Sequence, residues 1–229
     1  MNPSSEEKIV ESWSKNASPW VTAVRGERIE SRKLATNNAI VDAVLSRSAH
    51  SVLDIGCGEG WLVRELTARA MHVVGVDAVP SPIEYAQDTG GGSFHVVSYE
   101  EIASGVLESS FDVAVCNFSL LGKTSVEELF NAAPSLLNPR GALIVQTLHP
   151  VTACGDLPYQ DGWREGSWDG FHSDFTDPAP WYFRTLESWV SLFRNSGFRL
   201  FEMREPLHPK TQKPASVIFI AELAADKGC

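Results

Sequence analysis

Short β-rich runs alternate with amphipathic stretches along the chain from residue 51 onward. Such alternation is typical of a mostly parallel sheet covered by helices. The predicted strands are 51–55, 72–77, 94–98, 111–117, 142–148, 198–204 and 216–222. Because seven strands fit a single sheet, the pattern predicts an α/β fold.

Three helices are predicted where apolar side chains recur at helical spacing. Their apolar positions are Leu62, Val63 and Leu66, then Val126, Leu129, Phe130, Ala133 and Leu137, and finally Leu186, Trp189, Val190 and Phe193. These stripes indicate core packing. Gly197 has the position of a helix C-cap, and residues 138–141 (Asn-Pro-Arg-Gly) predict a turn into the fifth strand.

Two segments fall outside this alternation. Residues 13–45 predict a helix that carries Ile40, Val41, Val44 and Leu45 on one side, preceded by Trp13, Trp20, Arg25, Arg28 and Arg32. Residues 149–180 are rich in Gly, Pro, Asp and aromatic side chains and show no clear period. A connection of this length inside a compact domain is often a lid or a binding insertion.

The composition narrows the class of protein. The chain has 229 residues, 43% of them hydrophobic, and a formal net charge of −10. That charge disfavours nucleic-acid partners, and no apolar run approaches the ~20 residues of a membrane span. The polar N-terminus lacks the layout of a signal peptide, so we expect a cytoplasmic protein.

The cysteines indicate neither a disulfide framework nor a metal site. Cys57, Cys116, Cys154 and Cys229 lie far apart, with no CxxC pair and no metal-ligand spacing. We therefore expect four reduced thiols and no bound metal.

A glycine-rich turn follows the first predicted strand directly. Asp54 and Ile55 end the strand, and Gly56-Cys57-Gly58-Glu59-Gly60 leads into a helix. Alternating glycines permit a tight turn that a ligand can approach, at the strand ends where open α/β sheets bind ligands. Asp77 ends the second strand 17 residues after the last glycine, a position suited to ribose hydroxyls.

The spacing of this turn favours S-adenosylmethionine over a dinucleotide. A dinucleotide fingerprint reads G-x-G-x-x-G, whereas here Gly60 comes one residue early and Trp61 follows it. Glu59 would also repel a pyrophosphate. S-adenosylmethionine carries no phosphate, and its ammonium and sulfonium groups favour nearby carboxylates such as Asp54.

Residues 52–60 resemble the first motif of class I (Rossmann-like) S-adenosylmethionine-dependent methyltransferases, in particular the small-molecule type 11/12-like group, and residues 74–77 resemble the second motif. The resemblance implies a Rossmann-like, seven-stranded, mostly parallel sheet with helices on both faces and the last strand antiparallel. It implies that the first-motif residues face the methionine moiety, Asp77 the ribose, and two further residues the adenine. These assignments cover Asp54, Gly56, Cys57, Gly58 and Gly60, then Asp77, Ala78 and Val79.

Later motifs match this family less closely. Where the family often has an acid that contacts adenine, this chain has Ser98 and Tyr99, either of which could serve instead. Residues 111–118 resemble the fourth motif, with Asn117 and Phe118 near the transfer site. The Asn/Asp-Pro-Pro-aromatic sequence of methyltransferases that act on nucleic-acid bases is absent at this point, so that subclass is not expected.

The substrate side is expected beyond the fifth strand. His149 is a candidate base, or else a turn histidine before Pro150. A pocket for a small polar or aromatic molecule is predicted from Trp163, Arg164, Trp181, Tyr182 and Arg184. The alternative is a self-packed loop whose arginines pair with local acids.

The N-terminal segment is similar to one that closes over the cofactor in small-molecule members of the family. On that analogy Arg25 or Arg32 pairs with a cofactor or substrate carboxylate, while Trp13 and Trp20 form apolar walls. An exposed basic face is the alternative.

The sequence thus predicts transfer of a methyl group from S-adenosylmethionine to a small molecule, with oxygen slightly preferred because a histidine base helps a hydroxyl most. The alternative functions are a protein that binds S-adenosylmethionine without catalysing transfer and a dinucleotide-dependent oxidoreductase. We expect a monomer or homodimer without nucleic-acid or membrane partners. One domain is predicted over residues 1–229: a helical cap (1–50), a cofactor-binding core (51–148), a substrate-side insertion (149–184) and a C-terminal helix with a β-hairpin (185–229).

Overall fold

A seven-stranded sheet organises the fold in the computed structural model, which describes residues 5–224. Residues 1–4 and 225–229, and with them the predicted thiol of Cys229, lie outside the described part. The strands of the sheet are β1 (Ser51–Ile55), β2 (His72–Asp77), β3 (Ser93–Val96), β4 (Phe111–Asn117), β5 (Leu137–Thr147), β8 (Phe198–Arg204) and β9 (Val217–Leu223). A separate hairpin pairs β6 (Gly162–Arg164) with β7 (Trp181–Phe183).

The strand order is β3-β2-β1-β4-β5-β9-β8. The first five strands are parallel, and β9 runs antiparallel to both β5 and β8. The predicted Rossmann-like, mostly parallel sheet with its last strand antiparallel is therefore confirmed. Because β1 and β4 are neighbours at the point where the strand order reverses, their carboxyl ends form the crevice in which such sheets bind ligands.

Helices cover both faces of the sheet. They are α1 (Ser5–Arg25), α2 (Asn37–Leu45), α3 (Trp61–Thr67), α4 (Pro80–Thr89), α5 (Tyr99–Ala103), α6 (Thr124–Ala132), α7 (Pro150–Ala153) and α8 (Leu186–Asn195). A π-helical turn (Arg32–Thr36) precedes α2, and a 3₁₀ turn (Ala133–Leu136) follows α6. None of the described helices is long and apolar enough to cross a membrane.

Strand β4 shows why the sheet is sandwiched between helices. Ala114 and Cys116 point into a core shared with α6 and α8. Val113 and Val115 point into the other core, shared with α2, α3 and α4. A continuous apolar run is what a parallel strand buried on both faces requires, and all four side chains are fully buried.

Two predicted boundaries were wrong for local reasons. The third strand ends at Val96, because Ser98 caps α5 in a reciprocal capping box with Glu101. The predicted turn 138–141 lies inside β5, where a register shift opposite β4 accommodates the extra residues and Arg140 has a φ of +69°. Gly197 follows the C-cap residue of α8 with a φ of +83°, as a residue that ends a helix does.

Helix α1 and the insertion form a roof over the carboxyl end of the sheet. Asn16 exchanges hydrogen bonds with the backbone of Thr176, and Ser12 donates to the carbonyl of Asp177. At its start, α1 supplies Glu6, whose carboxylate accepts the N–H groups of Lys123 and Thr124 at the beginning of α6. The bonds of Asn16 and Ser12 hold the two parts of the roof together, and those of Glu6 attach the roof to α6.

Substitution of Phe219 tests the packing of the sheet. The ring is fully buried on β9 and contacts the rings of Trp189 and Phe193. Phe219→Ala should lower the free energy of unfolding, measured in urea, by about 3–5 kcal/mol because it leaves a cavity. Phe201 on the neighbouring strand is 56% exposed, so Phe201→Ala should change that free energy by less than about 0.5 kcal/mol. Equal losses would contradict this packing.

Candidate functional site

A cavity of about 1190 Å³ lies at the carboxyl ends of β1, β2, β4 and β5, beneath the roof. Most of the predicted site residues line it. They are Trp20, Arg32, Asp54, Gly56, Cys57, Gly58, Asp77, Ala78, Val79, Tyr99, Asn117, Phe118, Trp181, Tyr182 and Arg184. One cavity therefore brings together residues from the cap, the core and the insertion.

Five predicted site residues lie outside the cavity lining: Gly60, Ser98, His149, Trp163 and Arg164. The hydroxyl of Ser98 is used by the cap of α5. Arg164 donates to the carbonyl of Pro158 and stacks on Phe183, which agrees with the alternative of a self-packed loop. Trp163 packs edge-on against the ring of Tyr182.

The glycine turn is tight mainly because protein atoms pack against it. A Cβ atom on Gly56 would lie 2.3 Å from the Cβ of Ser119, and one on Gly60 would lie 2.4 Å from the ring of Phe94. At Gly58 the nearest atom to such a Cβ is the indole nitrogen of Trp20, at 3.8 Å. Gly56 and Gly58 line the cavity and Gly60 does not, whereas the sequence predicted ligand approach at all three; of the two, Gly58 leaves the most open space.

Asp77 connects this turn to the end of β2. Its carboxylate accepts the N–H groups of Gly58 and Val79, each at 2.9 Å. Burial raises the pKa of Asp77, and the two hydrogen bonds oppose that rise. The carboxylate is therefore held in one orientation, with lone pairs left over towards the cavity.

Four further cavity residues each have a buried polar atom without a hydrogen-bond partner: Oδ1 of Asp54, Oε1 of Glu59, Oδ1 of Asn117 and Nη2 of Arg32. Burial, and secondarily the charge of Asp77, raises the pKa of Asp54 to about 8, while Arg32 acts in the opposite direction. The guanidinium of Arg32 lies over the rings of Trp20 and Trp61, and burial lowers its pKa to about 10. Asp54 and Asn117 thus leave acceptors, and Arg32 leaves a donor, for a ligand to satisfy.

The structure corrects the role given to Glu59. Its carboxylate is buried and pairs with Arg25 at 3.0 Å and Arg64 at 2.5 Å. Because two guanidinium groups compensate this charge, repulsion of a pyrophosphate is not its main effect. Arg25, predicted as a possible partner of a ligand carboxylate, instead ties α1 to the glycine turn through Glu59 and to α4 through the carbonyl of Tyr85.

Phe118 has a strained backbone at the end of β4. Its φ is +56°, a left-handed conformation that is costly for a bulky residue, and its N–H donates to the carbonyl of Gln146 at 2.8 Å. This bond to β5 holds the kink that turns the chain across the cavity. No sequence pattern indicated this conformation.

His149 and Arg184 are both committed to protein partners. Nε2 of the buried His149 lies 2.7 Å from a carboxylate oxygen of Glu205, and the neighbours Leu148 and Pro150 line the cavity in its place. The catalytic role of His149 stays a prediction. Arg184 donates to the carbonyls of Gly122 and Lys123, at 2.8 and 2.9 Å.

Four aromatic side chains, which we call the aromatic box, form the outer part of the cavity: Trp13, Trp20, Trp168 and Phe171. Trp13 and Trp20 are seven residues apart and share one face of α1. These two rings contact Trp168 and Phe171, which lie about 150 residues further along the chain. The sequence could indicate each aromatic pair but not the contact between the two pairs.

Residues 27–202, more than half of the chain, match a protein family described as a methyltransferase domain. The chain belongs to this methyltransferase family. The family predicted from the glycine turn is thereby confirmed. The match begins two residues after α1 ends.

Solved methyltransferase structures share the fold. The plantazolicin methyltransferase BamL, solved with a triazolic desmethylPZN analog and SAH, has a TM-score of 0.69 at 15% identity, with 96% of each chain covered. A S-adenosylmethionine-dependent methyltransferase from Clostridium acetobutylicum has a TM-score of 0.68 at 13% identity, covering 93% of this chain and 99% of that one.

Curated relatives match over shorter stretches. A ubiquinone biosynthesis O-methyltransferase from Dechloromonas aromatica is 28% identical over 114 residues, 48% of this chain and 49% of that protein. An uncharacterized methyltransferase from Schizosaccharomyces pombe is 37% identical over 83 residues, 35% of this chain and 32% of that protein. The chain thus spans half the length or less of these relatives.

The pKa of Asp54 predicts how stability depends on pH. The carboxyl titrates near ~3.9 when unfolded but at about 8 in the folded chain, so between these values the folded state holds a proton that the unfolded state releases. The stability that Asp54 contributes is therefore lost as the pH rises from 4 to 8. Asp54→Asn removes this titration. The variant should therefore gain melting temperature relative to the unsubstituted chain when the pH is raised from 5 to 8.

Asp112 provides the matched control for this experiment. Hydrogen bonds from Asn138 and from the backbone of His50 and Ser51 lower its pKa to about 2, so it is ionised in both states from pH 5 to pH 8. The difference for Asp112→Asn should stay constant over that range. A constant difference for Asp54→Asn as well would show that its carboxyl does not titrate as described.

Proposed function

We propose that this chain transfers a methyl group from S-adenosylmethionine to a small-molecule acceptor. One observation carries the proposal: Asp54, Asn117 and Arg32 line one cavity, and each has a buried polar atom that no protein group satisfies. An α-amino acid group presents an ammonium to the two acceptors and a carboxylate to the donor, which is the complement of this set. The methionine part of S-adenosylmethionine is such a group.

The other cofactor contacts are proposed from the remaining cavity residues at this end. The oriented carboxylate of Asp77 suits a ribose diol, and Ala78 and Val79 offer an apolar surface to the adenine. Tyr99 donates its hydroxyl to the carbonyl of Ser119, so we propose that it contributes its ring rather than its hydroxyl. Ser98 and Gly60, which lie outside the lining, are left out of this set.

The cavity is larger than a usual pocket for one small molecule. Pockets for one small molecule typically enclose about 300–1,000 Å³, whereas this cavity encloses about 1190 Å³. A pocket that accommodates an acceptor beside the cofactor supports an enzyme over a protein that only binds S-adenosylmethionine. Its aromatic lining excludes water from the acceptor side, which favours transfer over hydrolysis.

S-adenosylmethionine would supply a methyl group already activated by the sulfonium, so the bond to sulfur breaks as the acceptor atom forms its own bond. The task of the chain is then to align the acceptor, exclude water and let the acceptor proton leave. We retain oxygen as the proposed acceptor atom. Because His149 does not line the cavity, this preference now depends on relatives named as O-methyltransferases.

Calorimetric titration tests the cofactor. We expect S-adenosylhomocysteine to bind the full chain and NAD to give no heat, because Trp61 replaces the last glycine of a dinucleotide fingerprint. Transfer of labelled methyl groups to a panel of phenols and other hydroxyl compounds then tests turnover. Binding of NAD without binding of S-adenosylhomocysteine would overturn the proposal.

Arg32 gives a sharper test of the cofactor site. Arg32→Met keeps much of the apolar contact with Trp20 and Trp61 but removes the charge, and it should weaken S-adenosylhomocysteine about tenfold or more, as loss of a charge-assisted hydrogen bond does. Arg28 is exposed on the same connection, so Arg28→Met should leave the dissociation constant unchanged. Equal constants for the two variants would place the carboxylate elsewhere.

A further inference from the structure

We propose that the acceptor is a planar aromatic molecule without negative charge, bound in the aromatic box between α1 and the insertion. This inference rests on the proposed function and names the substrate class of the same cavity. Its evidence is the geometry of the box and the distribution of charge around it.

The rings of the box form a continuous apolar surface. The ring centroids of Trp13 lie 5.0 Å from Trp20 and 5.7 Å from Trp168, and both pairs meet edge to face. Phe171 lies 5.5 Å from Trp168 and 6.4 Å from Trp20. Aromatic walls at these angles offer both faces and edges to a flat ligand, and such contacts favour an aromatic guest.

The box adjoins the proposed cofactor site through one side chain. The indole nitrogen of Trp20 lies over Gly58, and the guanidinium of Arg32 lies 5.6 Å from the centroid of the same ring. Trp20 is therefore a wall common to the box and to the glycine turn. A ligand held in the box is adjacent to the proposed cofactor site.

Among residues 5–224, three basic side chains line the cavity: Lys15, Arg32 and Arg184. Arg184 is used by two backbone carbonyls, and Arg32 lies at the cofactor end. Lys15 pairs with Asp177, and both side chains are more than half exposed at the rim. Lys15 and Arg184 therefore offer no free buried cation to a ligand in the box, and the free donor of Arg32 is assigned to the cofactor.

The α1 wall of the same cavity is acidic. Glu6, Glu7 and Glu11 all line it, and the carboxylate of Glu6 is fixed by the start of α6. A carboxylate or phosphate that enters this space would lose water without gaining a cationic partner, which is costly, and it would meet like charges. A neutral or cationic acceptor avoids both costs.

Half of the aromatic box and the acidic wall lie in a segment that the family match does not include. The match begins at residue 27, whereas Trp13, Trp20 and the three glutamates belong to α1, which ends at Arg25. The aromatic and acidic wall is thus a feature of this chain in addition to the shared methyltransferase core.

Three ligands that share a naphthalene ring but differ in charge test the proposal: methyl 6-hydroxy-2-naphthoate, 6-hydroxy-2-naphthoate and 6-(aminomethyl)-2-naphthol. Their binding is measured by calorimetry with the full chain saturated with S-adenosylhomocysteine. We expect the neutral ester and the cationic amine to bind, and the carboxylate to bind at least about tenfold more weakly because its charge is desolvated without a partner. Absence of ester binding, or equal or tighter binding of the carboxylate, would overturn the proposal.

Two variants assign the effect to the box. Trp168→Ala should weaken the ester at least about tenfold by removal of one aromatic wall, while the affinity for S-adenosylhomocysteine, which reports correct folding, stays the same. Phe201→Ala, on the far edge strand, is the matched aromatic control and should change neither affinity. A further variant tests the acidic wall. Glu11→Lys adds a cation there, so the ratio of the dissociation constants of carboxylate and ester should fall about threefold or more.

The outcomes separate the two proposals. If S-adenosylhomocysteine does not bind the unsubstituted chain, the proposed function fails. If it binds but the ester and the carboxylate bind alike, or Trp168→Ala leaves ester binding unchanged, the function stands and the assignment of the acceptor is wrong.

Discussion

Close packing around the glycine turn is the constraint on which the rest of the site depends. Ser119, from the loop after β4, fills the space where Gly56 would have a Cβ, and Phe94 of β3 does the same at Gly60. The turn is therefore clamped between the loop after β4 and strand β3, and Asp77 at the end of β2 fixes its middle. Only with the turn in this position can the cavity form at the carboxyl ends of the strands.

The charged groups of the site divide into two classes by their partners. Glu59 is buried but compensated by Arg25 and Arg64, so it contributes to the attachment of α1 rather than to ligand selection. Asp54 and Arg32 form no ion pair among residues 5–224, and each has a buried atom without a hydrogen-bond partner. An unsatisfied buried polar group is destabilising, and proteins retain it where a ligand completes the set.

Sequence patterns predicted the sheet well because each strand carries its own signal. The apolar run of β4 and the glycine turn are local, so their positions could be read without knowledge of the partners. Ser98 shows the limit: its capping box with Glu101 was present in the sequence as Ser-x-x-Glu, but the residue was assigned by family analogy to the cofactor. The left-handed Phe118 and the aromatic box had no local signal, because long-range packing creates both.

The roof also differs from the sheet in the free energy needed to open it. The bonds that attach the roof to the core, such as those of Glu6 to the start of α6 and of Arg25 to Glu59, are few compared with the continuous ladder between β4 and β5. A segment held by few contacts opens at a free energy well below that of global unfolding. The chain can therefore admit and release ligands by local opening of the roof, while the strands that carry the glycine turn stay hydrogen-bonded.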